Sequence, residues 1–123
     1  MAITLTNRAK NAALNGIVDE IDSGGSAGTL QILDASDTEL ATLPLTNPAF
    51  GAADSGSVSA NTITTDTTVN AGTASKFKIF TSGGSEVFRG TVTNTGGGGD
   101  LTLTNVNLFA GDRLAVSSFT ITI

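Results

Sequence analysis

From Thr29 onward, apolar residues recur at every second position, in short runs separated by Gly, Ser, Asn and Asp. Successive side chains of a β-strand point to opposite faces of a sheet, so a period of two is typical of half-buried strands. Thr, which favours strands, accounts for 20 of the 123 residues, and 15 Gly residues supply turns. The pattern predicts a mainly β protein, an antiparallel β-sandwich that resembles a jelly roll, in a single domain over residues 1–123.

Strands are predicted where the alternation is not interrupted by turn residues. The clearest pair is joined by residues 82–85, whose Ser-Gly-Gly-Ser sequence is a strong hairpin signal. Pro44 and Pro48 confine their surroundings to strand edges, strand ends or loops. A change of alternation near Ser117 and Ser118 indicates a β-bulge. The predicted strands are residues 29–33, 39–45, 57–64, 67–70, 75–81, 86–93, 101–105 and 113–123.

The N-terminal part of the chain follows a different period. Apolar residues at helical spacing predict a helix over about residues 8–22, with Asn7 as its N-cap and a stop at residues 23–25. Residues 1–6 alternate and could form a short strand or an arm. The helix either covers an open end of the sandwich or docks on a neighbouring subunit. Its apolar stripe is Leu14, Ile17, Val18 and Ile21.

The charges of this predicted helix oppose its macrodipole, which favours acidic residues at the N-terminus and basic residues at the C-terminus. The basic residues stand at the start and the acidic residues at the end. These residues are Arg8, Lys10, Asp19, Glu20 and Asp22. A helix of about 15 residues is marginal on its own, so packing must stabilise it.

The composition limits the chemistry that is available to the chain. There is no Cys and no His, which excludes disulfides, thiolate sites and histidine general bases or metal ligands. The net charge of −5 argues against binding to nucleic acid. No continuous apolar run predicts a signal peptide or a membrane span. We therefore expect no catalytic residue, cofactor or metal, and no partnership with a membrane.

Two local groups of residues have more than one interpretation. Asp34, Asp37 and Glu39 fit a hairpin turn best, but their spacing also suits calcium ligands or a pair of catalytic carboxylates. The glycine run at residues 96–99 is not followed by the Gly-Lys-Ser/Thr sequence of a phosphate-binding loop. It is interpreted as a loop tip between strands.

One face of the 75–93 hairpin is a predicted protein-interaction surface. If Gly83 and Gly84 form a two-residue turn, four cross-strand pairs follow: Phe80 with Val87, Ile79 with Phe88, Lys78 with Arg89 and Phe77 with Gly90. The inner face is then Phe77, Ile79, Phe88 and Val92. The outer face then places Lys78 opposite Arg89, and like charges in this position destabilise a sheet unless something neutralises them. An acidic partner would neutralise them, although an ordinary solvated face is the simpler alternative. The predicted surface is Lys76, Lys78, Phe80, Val87 and Arg89.

A pattern of small and apolar residues over most of the chain resembles a family of short phage virion proteins. The residues that carry the resemblance are PAFGAA at 48–53, SANTIT at 59–64, AGTA at 71–74, Phe77, Ile79, GTV at 90–92, GDLTL at 99–103, Gly111 and VSSFT at 116–120. The N-terminal helix, rich in Asn and Ala, is similar too. The resemblance is to capsid decoration, or cement, proteins.

The resemblance implies a structural protein that binds and stabilises the outer surface of a phage capsid. Its partners would be the major capsid protein and other copies of itself, as a homotrimer. It would be made in the host cytoplasm and reside on the virion. The alternative is a tail or fibre module for attachment to the host, and the absence of Trp and Tyr argues against the carbohydrate recognition such modules use. A hydrolase built on carboxylates is a third hypothesis.

Overall fold

The computed structural model describes residues 3–116 and 118–123. Within them the chain forms one helix and nine short strands, which confirms a mainly β protein with one N-terminal helix. The elements are α1 (Asn7–Ile21), β1 (Thr29–Leu33), β2 (Glu39–Pro44), β3 (Ser57–Ser59), β4 (Gly72–Thr73), β5 (Lys76–Phe80), β6 (Glu86–Asn94), β7 (Leu101–Leu103), β8 (Asn107–Leu108) and β9 (Thr120–Thr122).

The main sheet has five strands in the order β2-β1-β5-β6-β7. Its first four strands are antiparallel neighbours, but β7 runs parallel to β6. The prediction of a purely antiparallel sheet is therefore wrong. Two ribbons complete the strand pairing, β3 with β9 and β4 with β8.

The parallel pair is made possible by the glycine run. Only residues 95–100 connect β6 to β7, whereas a parallel connection ordinarily needs a dozen residues or more. Its four glycines are needed for two reasons, which alternate along the run: a positive φ angle at one residue and close contact with Thr93 at the next. Gly96 and Gly98 have φ of +89° and +82°, and added Cβ atoms at Gly97 and Gly99 would each lie 2.8 Å from the Thr93 side chain. The segment is a largely exposed loop between two strands, as predicted, and its glycines let it return close to Thr93.

Helix α1 begins one residue earlier than predicted. Thr6 is the N-cap, and its hydroxyl accepts a hydrogen bond from the Ala9 amide at 3.3 Å, so Asn7 is the first helical residue. Residues 3–6 form no strand, and Met1 and Ala2 lie outside the described residues. Within the described part of the chain, no helix has the length and apolarity needed to cross a membrane.

The apolar stripe of α1 packs on the protein's own core. Leu14 and Ile21 are fully buried, Val18 is nearly so, and Ile17 packs against them. The interpretation in which the helix covers its own fold is therefore correct, and this stripe is not free to dock on a neighbouring subunit. Its exposed faces are the ones left for other contacts.

Polar side chains of α1 also hold the loop before β3. Backbone amides of that loop donate hydrogen bonds to two side chains of α1 and to the side chain of its C-cap residue, Asp22. The pairs are Gly56 with Asn11 at 2.9 Å, Ala53 with Asn15 at 3.3 Å and Ala49 with Asp22 at 3.0 Å. The helix thus satisfies backbone donors that no strand pairing serves.

Residues 67–70, predicted as a strand, are not one. The segment 64–70 instead runs along the outer edge of β2, where the amide of Thr64 donates to Pro44 and that of Asn70 donates to Leu40, both at 2.8 Å. Val69 is buried beneath it, which explains the misleading alternation. The segment covers an edge that would otherwise expose unpaired backbone groups.

The predicted C-terminal strand over residues 113–123 is mostly irregular. Only β9 is a strand there, with an isolated bridge between Leu114 and Asp66. The predicted bulge near Ser117 and Ser118 lies outside the described residues, because Ser117 is not among them. The predicted strand 57–64 is likewise reduced to β3 and a bridge at Ala60.

Four phenylalanines form the centre of the hydrophobic core. The Phe119 ring lies 5.2 Å from Phe77, 5.9 Å from Phe50 and 6.5 Å from Phe88, centroid to centroid. The Phe77 and Phe119 planes meet at 82°, a favourable edge-to-face arrangement. Because Phe119 precedes β9 and Phe77 lies in β5, this cluster joins the small β3–β9 ribbon to the main sheet.

Candidate interaction surface

The register of the β5–β6 hairpin places most of the predicted surface on one face. Three of its four predicted cross-strand pairs are confirmed. The fourth is wrong, because Phe80 lies opposite Glu86 instead of Val87. The confirmed pairs are Phe77 with Gly90, Lys78 with Arg89 and Ile79 with Phe88.

The discrepancy comes from two compensating irregularities. The turn is one residue longer than predicted: Thr81 donates its amide to Ser85, and Gly84, at φ +90°, donates to Thr81. A bulge between the pairs of Ile79 and Phe80 then restores the register. As a result Val87 packs against the core, which corrects its predicted place on the outer face. Glu86 takes the position opposite Phe80.

Glu86 neutralises the like-charged pair that Lys78 and Arg89 form across the hairpin. Its carboxylate accepts hydrogen bonds from the Arg89 guanidinium at 2.8 and 2.9 Å and lies 3.7 Å from the Lys78 ammonium. The two facing cations are therefore bridged by a carboxylate from their own hairpin. Lys76 in turn forms a 3.1 Å ion pair with Asp37. Neutralisation by a partner is not required to keep this face folded.

These pairs shift the acid–base properties of the surface. The hydrogen bond from Arg89 lowers the pKa of Glu86, with further contributions from the Arg89 and Lys78 charges. The hydrogen bond from Lys76 lowers the pKa of Asp37. The bond to Glu86 raises the pKa of Arg89. Both carboxyl groups are thus held ionised, whereas a carboxyl that serves as a general acid needs a raised pKa.

The remaining outer face is polar and partly solvated. The Lys78 side chain is 18% exposed and that of Arg89 64% exposed, and Phe80 is half-buried. Gln31 of β1 faces Lys78, and it donates to the Glu39 carboxylate at 3.2 Å. The outer face therefore combines two accessible cations, Lys76 and Arg89, with a half-buried apolar ring, which suits a protein contact as well as it suits solvent.

The acidic cluster at the β1–β2 connection is a turn. The Asp34 carboxylate accepts hydrogen bonds from the amides of Ser36 and Thr38 at 2.8 and 2.9 Å. This is the arrangement of an Asx turn. Asp37 forms an ion pair with Lys76, and Glu39 accepts a hydrogen bond from the Gln31 side chain. Across the described residues, no group of three or more acidic side chains is placed to hold a metal ion.

A groove that the sequence did not predict lies between β6 and β9. Its volume is about 210 Å³, below the roughly 300–1,000 Å³ of small-molecule sites. Phe88, Phe119 and Ile121 supply apolar lining, and Arg89 and Asp100 lie at the same groove. No local sequence signal predicts it, because the two strands pair with other partners and meet only through the aromatic cluster.

Comparisons of this chain with protein-family models, with curated proteins and with solved structures give no match. The functional interpretation therefore rests on the residues of the chain and on their geometry. The geometry offers accessible surfaces, turns and ion pairs, and several carboxylates, among them Asp34, Asp66 and Glu86, accept hydrogen bonds within the fold.

Proposed function

We propose that this chain is a structural protein of a phage virion, which binds and stabilises the outer surface of the capsid as a cement or decoration protein. Its partners are the major capsid protein and further copies of itself, in a homotrimer on the virion surface. One observation carries the proposal: most of the large apolar residues in the segments that resemble cement proteins are buried in the core. The buried ones are Ala49, Phe50, Ile63, Ala74, Phe77, Ile79, Val92, Leu101, Leu103, Val116 and Phe119.

The finer architecture that we propose is a sandwich of the jelly-roll kind. The contact between Phe119, beside β9, and Phe77, in β5, supports a second layer formed by the β3–β9 ribbon over the main sheet. Sandwiches of this type bury aligned apolar faces between two sheets. The aromatic contact between the ribbon and the main sheet is what such a two-layer core requires.

The outer face of the β5–β6 hairpin is the proposed capsid contact. Lys76, Lys78 and Arg89 bring half of the chain's six basic residues to this hairpin. Two carboxylates pair with them, Asp37 and Glu86, so the cations outnumber their partners on a protein of net charge −5. Such a face is the one best suited to an acidic surface, since charge complementarity steers association.

The proposal is tested by counting this protein in purified virions of the phage that encodes it. Quantitative mass spectrometry should give a copy number that scales with that of the major capsid protein, because a cement protein occupies repeated lattice positions. A copy number equal to that of a tail component would overturn the proposal and favour the tail or fibre alternative.

The same virions allow the contact face to be tested. Purified protein should rebind capsids that have been stripped of it, and the variant Lys78→Gln, Arg89→Gln should rebind less than a tenth as much. High salt should mimic that loss for the wild type, because screening weakens exposed charge pairs. Arg113→Gln, a change of one cation outside the hairpin, is the control and should rebind normally. Equal binding by all three proteins would exclude this face as the contact.

A further inference from the structure

The solvent-facing side of α1 is exposed in the described part of the chain. Its centre consists of small exposed residues, and exposed charges stand at its two ends, Arg8 at the N-terminal end and Asp19 with Glu20 at the C-terminal end. We call this side the outer face of α1. Its small residues are Ala9, Ala12, Ala13 and Gly16.

The charges of the outer face are unfavourable for an isolated molecule. The helix has no acidic residue in its first turn and no basic residue in its last turn, so its macrodipole meets the wrong sign of charge at each end. In the described part of the chain, no ion pair involves Arg8, Asp19 or Glu20.

Gly16 is a second feature that the isolated molecule does not explain. Glycine is disfavoured in a helix interior, and an added Cβ at Gly16 would have no atom within 4 Å. No close packing inside the chain therefore calls for a glycine there. A helix that approached from outside would benefit from it, since small residues let two backbones come close together.

We propose that the outer face of α1 binds the same face of a second copy, with the two helices antiparallel about a twofold axis. Arg8 and Asp19 are eleven residues apart, so they lie only about 20° apart around the helix. Antiparallel pairing places Arg8 of each copy beside Asp19 of the other, with Glu20 next to it in the last turn. A twofold contact repeats this complementarity, and Ala12 and Gly16 lie where the helices cross.

This contact is independent of the proposed capsid function. It joins two separate molecules, or two oligomers of the kind a cement protein forms. Fifteen helical residues span roughly 22 Å, so the contact is smaller than the standard interface of about 1,600 Å². The association is therefore weak, and it depends on protein concentration and on salt.

Two charge variants test the proposal. Arg8→Glu places carboxylates against carboxylates across the twofold axis, and Asp19→Lys, Glu20→Lys places cations against cations. Sedimentation velocity over a concentration series at low salt should show self-association of the wild type and at least tenfold weaker association of each variant. An equimolar mixture of the two variants should recover wild-type association, because every facing pair is then of opposite sign.

Both variants satisfy the helix macrodipole better than the wild type does, so circular dichroism should show helix content no lower than wild type. Gly16→Leu should also weaken association, and its matched control Gly16→Ala should retain it. A wild type whose state does not change with concentration would overturn the proposal. So would a mixture of the charge variants that stays as dissociated as its components.

Discussion

At the scale of single residues, Asp66 connects three parts of the chain. Its carboxylate accepts hydrogen bonds from the amides of Thr42 and Thr68, both at 2.8 Å, and from the Thr68 hydroxyl at 3.0 Å. Its backbone exchanges two hydrogen bonds with Leu114. Burial raises the pKa of Asp66, but the hydrogen bonds from Thr68 and Thr42 together lower it further than burial raises it. The ionised carboxylate is thus part of the fold.

Asp66→Asn should destabilise the protein at neutral pH by about 1–3 kcal/mol, since an amide leaves one of the backbone donors without an acceptor. A lowered folded-state pKa contributes stability above the ordinary value of 3.8 and loses it as the pH falls through the folded pKa. The difference between wild type and variant should therefore shrink at acidic pH. Urea unfolding at pH 7 and pH 3 measures both effects.

Asp54→Asn is the matched control. The Asp54 side chain accepts one long hydrogen bond, 3.4 Å from the Ser55 hydroxyl, so the stability of this variant should stay within about 0.5 kcal/mol of wild type. If Asp66→Asn and Asp54→Asn were equally stable, Asp66 would not have the role that its contacts indicate.

At the scale of elements, the return loop between β6 and β7 determines that the last strand of the main sheet is parallel. Thr93 of β6 is hydrogen-bonded to the loop: its hydroxyl accepts a hydrogen bond from the Gly99 amide at 3.0 Å. A Cβ at Gly99 would also lie 3.0 Å from the Thr93 backbone nitrogen. The loop can lie this close to the strand only without a side chain at this position.

Gly99→Ala should destabilise the protein by about 1–3 kcal/mol, the usual cost of overpacking. Thr93→Ala removes the hydroxyl and methyl groups that the new Cβ would meet. The double variant should therefore lose less stability than the sum of the two single losses. Thermal or urea unfolding of the three variants gives the coupling, and strictly additive losses would contradict close packing between Gly99 and Thr93.

The hairpin shows how far local sequence patterns determine these elements. The alternation of β5 and β6 predicts the inner face and three cross-strand pairs, because a one-residue slip would expose Phe77 and Ile79. The turn length and the bulge at Val87 were not predictable in this way. The longer turn shifts the pairing by one residue and the bulge shifts it back, so the pairs beyond the bulge are the same as without either. For the same reason the sequence does not reveal that Glu86 lies between Lys78 and Arg89.

Interactions between distant segments account for the other differences. Residues 67–70 alternate like a strand because Val69 is buried, yet they cover the edge of β2 without forming a ladder. The parallel direction of β7 depends on how the loop packs against Thr93, and the alternation of apolar residues along the sequence does not predict that packing. The cross-strand pairing of Lys78 with Arg89 is confirmed, while the in-chain carboxylate partners of Lys76, Lys78 and Arg89 were missed.

At the scale of the whole molecule, Phe119 connects the main sheet to the β3–β9 ribbon. It lies within 6.5 Å of the other three rings of the aromatic cluster, centroid to centroid, and is 5% exposed. The ribbon that follows it pairs β9 with β3. The main sheet and this ribbon are therefore stabilised as one unit, and the loss of one ring should be felt by both.

Phe119→Ala should destabilise the protein by roughly 3–5 kcal/mol, because a buried aromatic ring is removed and a cavity is left. Phe109→Ala is the control, since Phe109 is 67% exposed and its loss should change stability by no more than about 0.5 kcal/mol. Denaturant unfolding of both variants measures the contrast. Similar losses would mean that the aromatic cluster does not stabilise the fold as its geometry implies.

The position of Phe119 in the chain also sets the order of events during translation. Phe50 and Phe77 leave the ribosome first, and the 42 positions from Phe77 to Phe119 must still be synthesised before the ring that covers them exists. At about 5–20 residues per second, that takes roughly two to eight seconds. For this interval the nascent chain exposes aromatic surface that only a later residue can bury. Its yield in the cell should therefore depend on chaperones that shield apolar segments during synthesis.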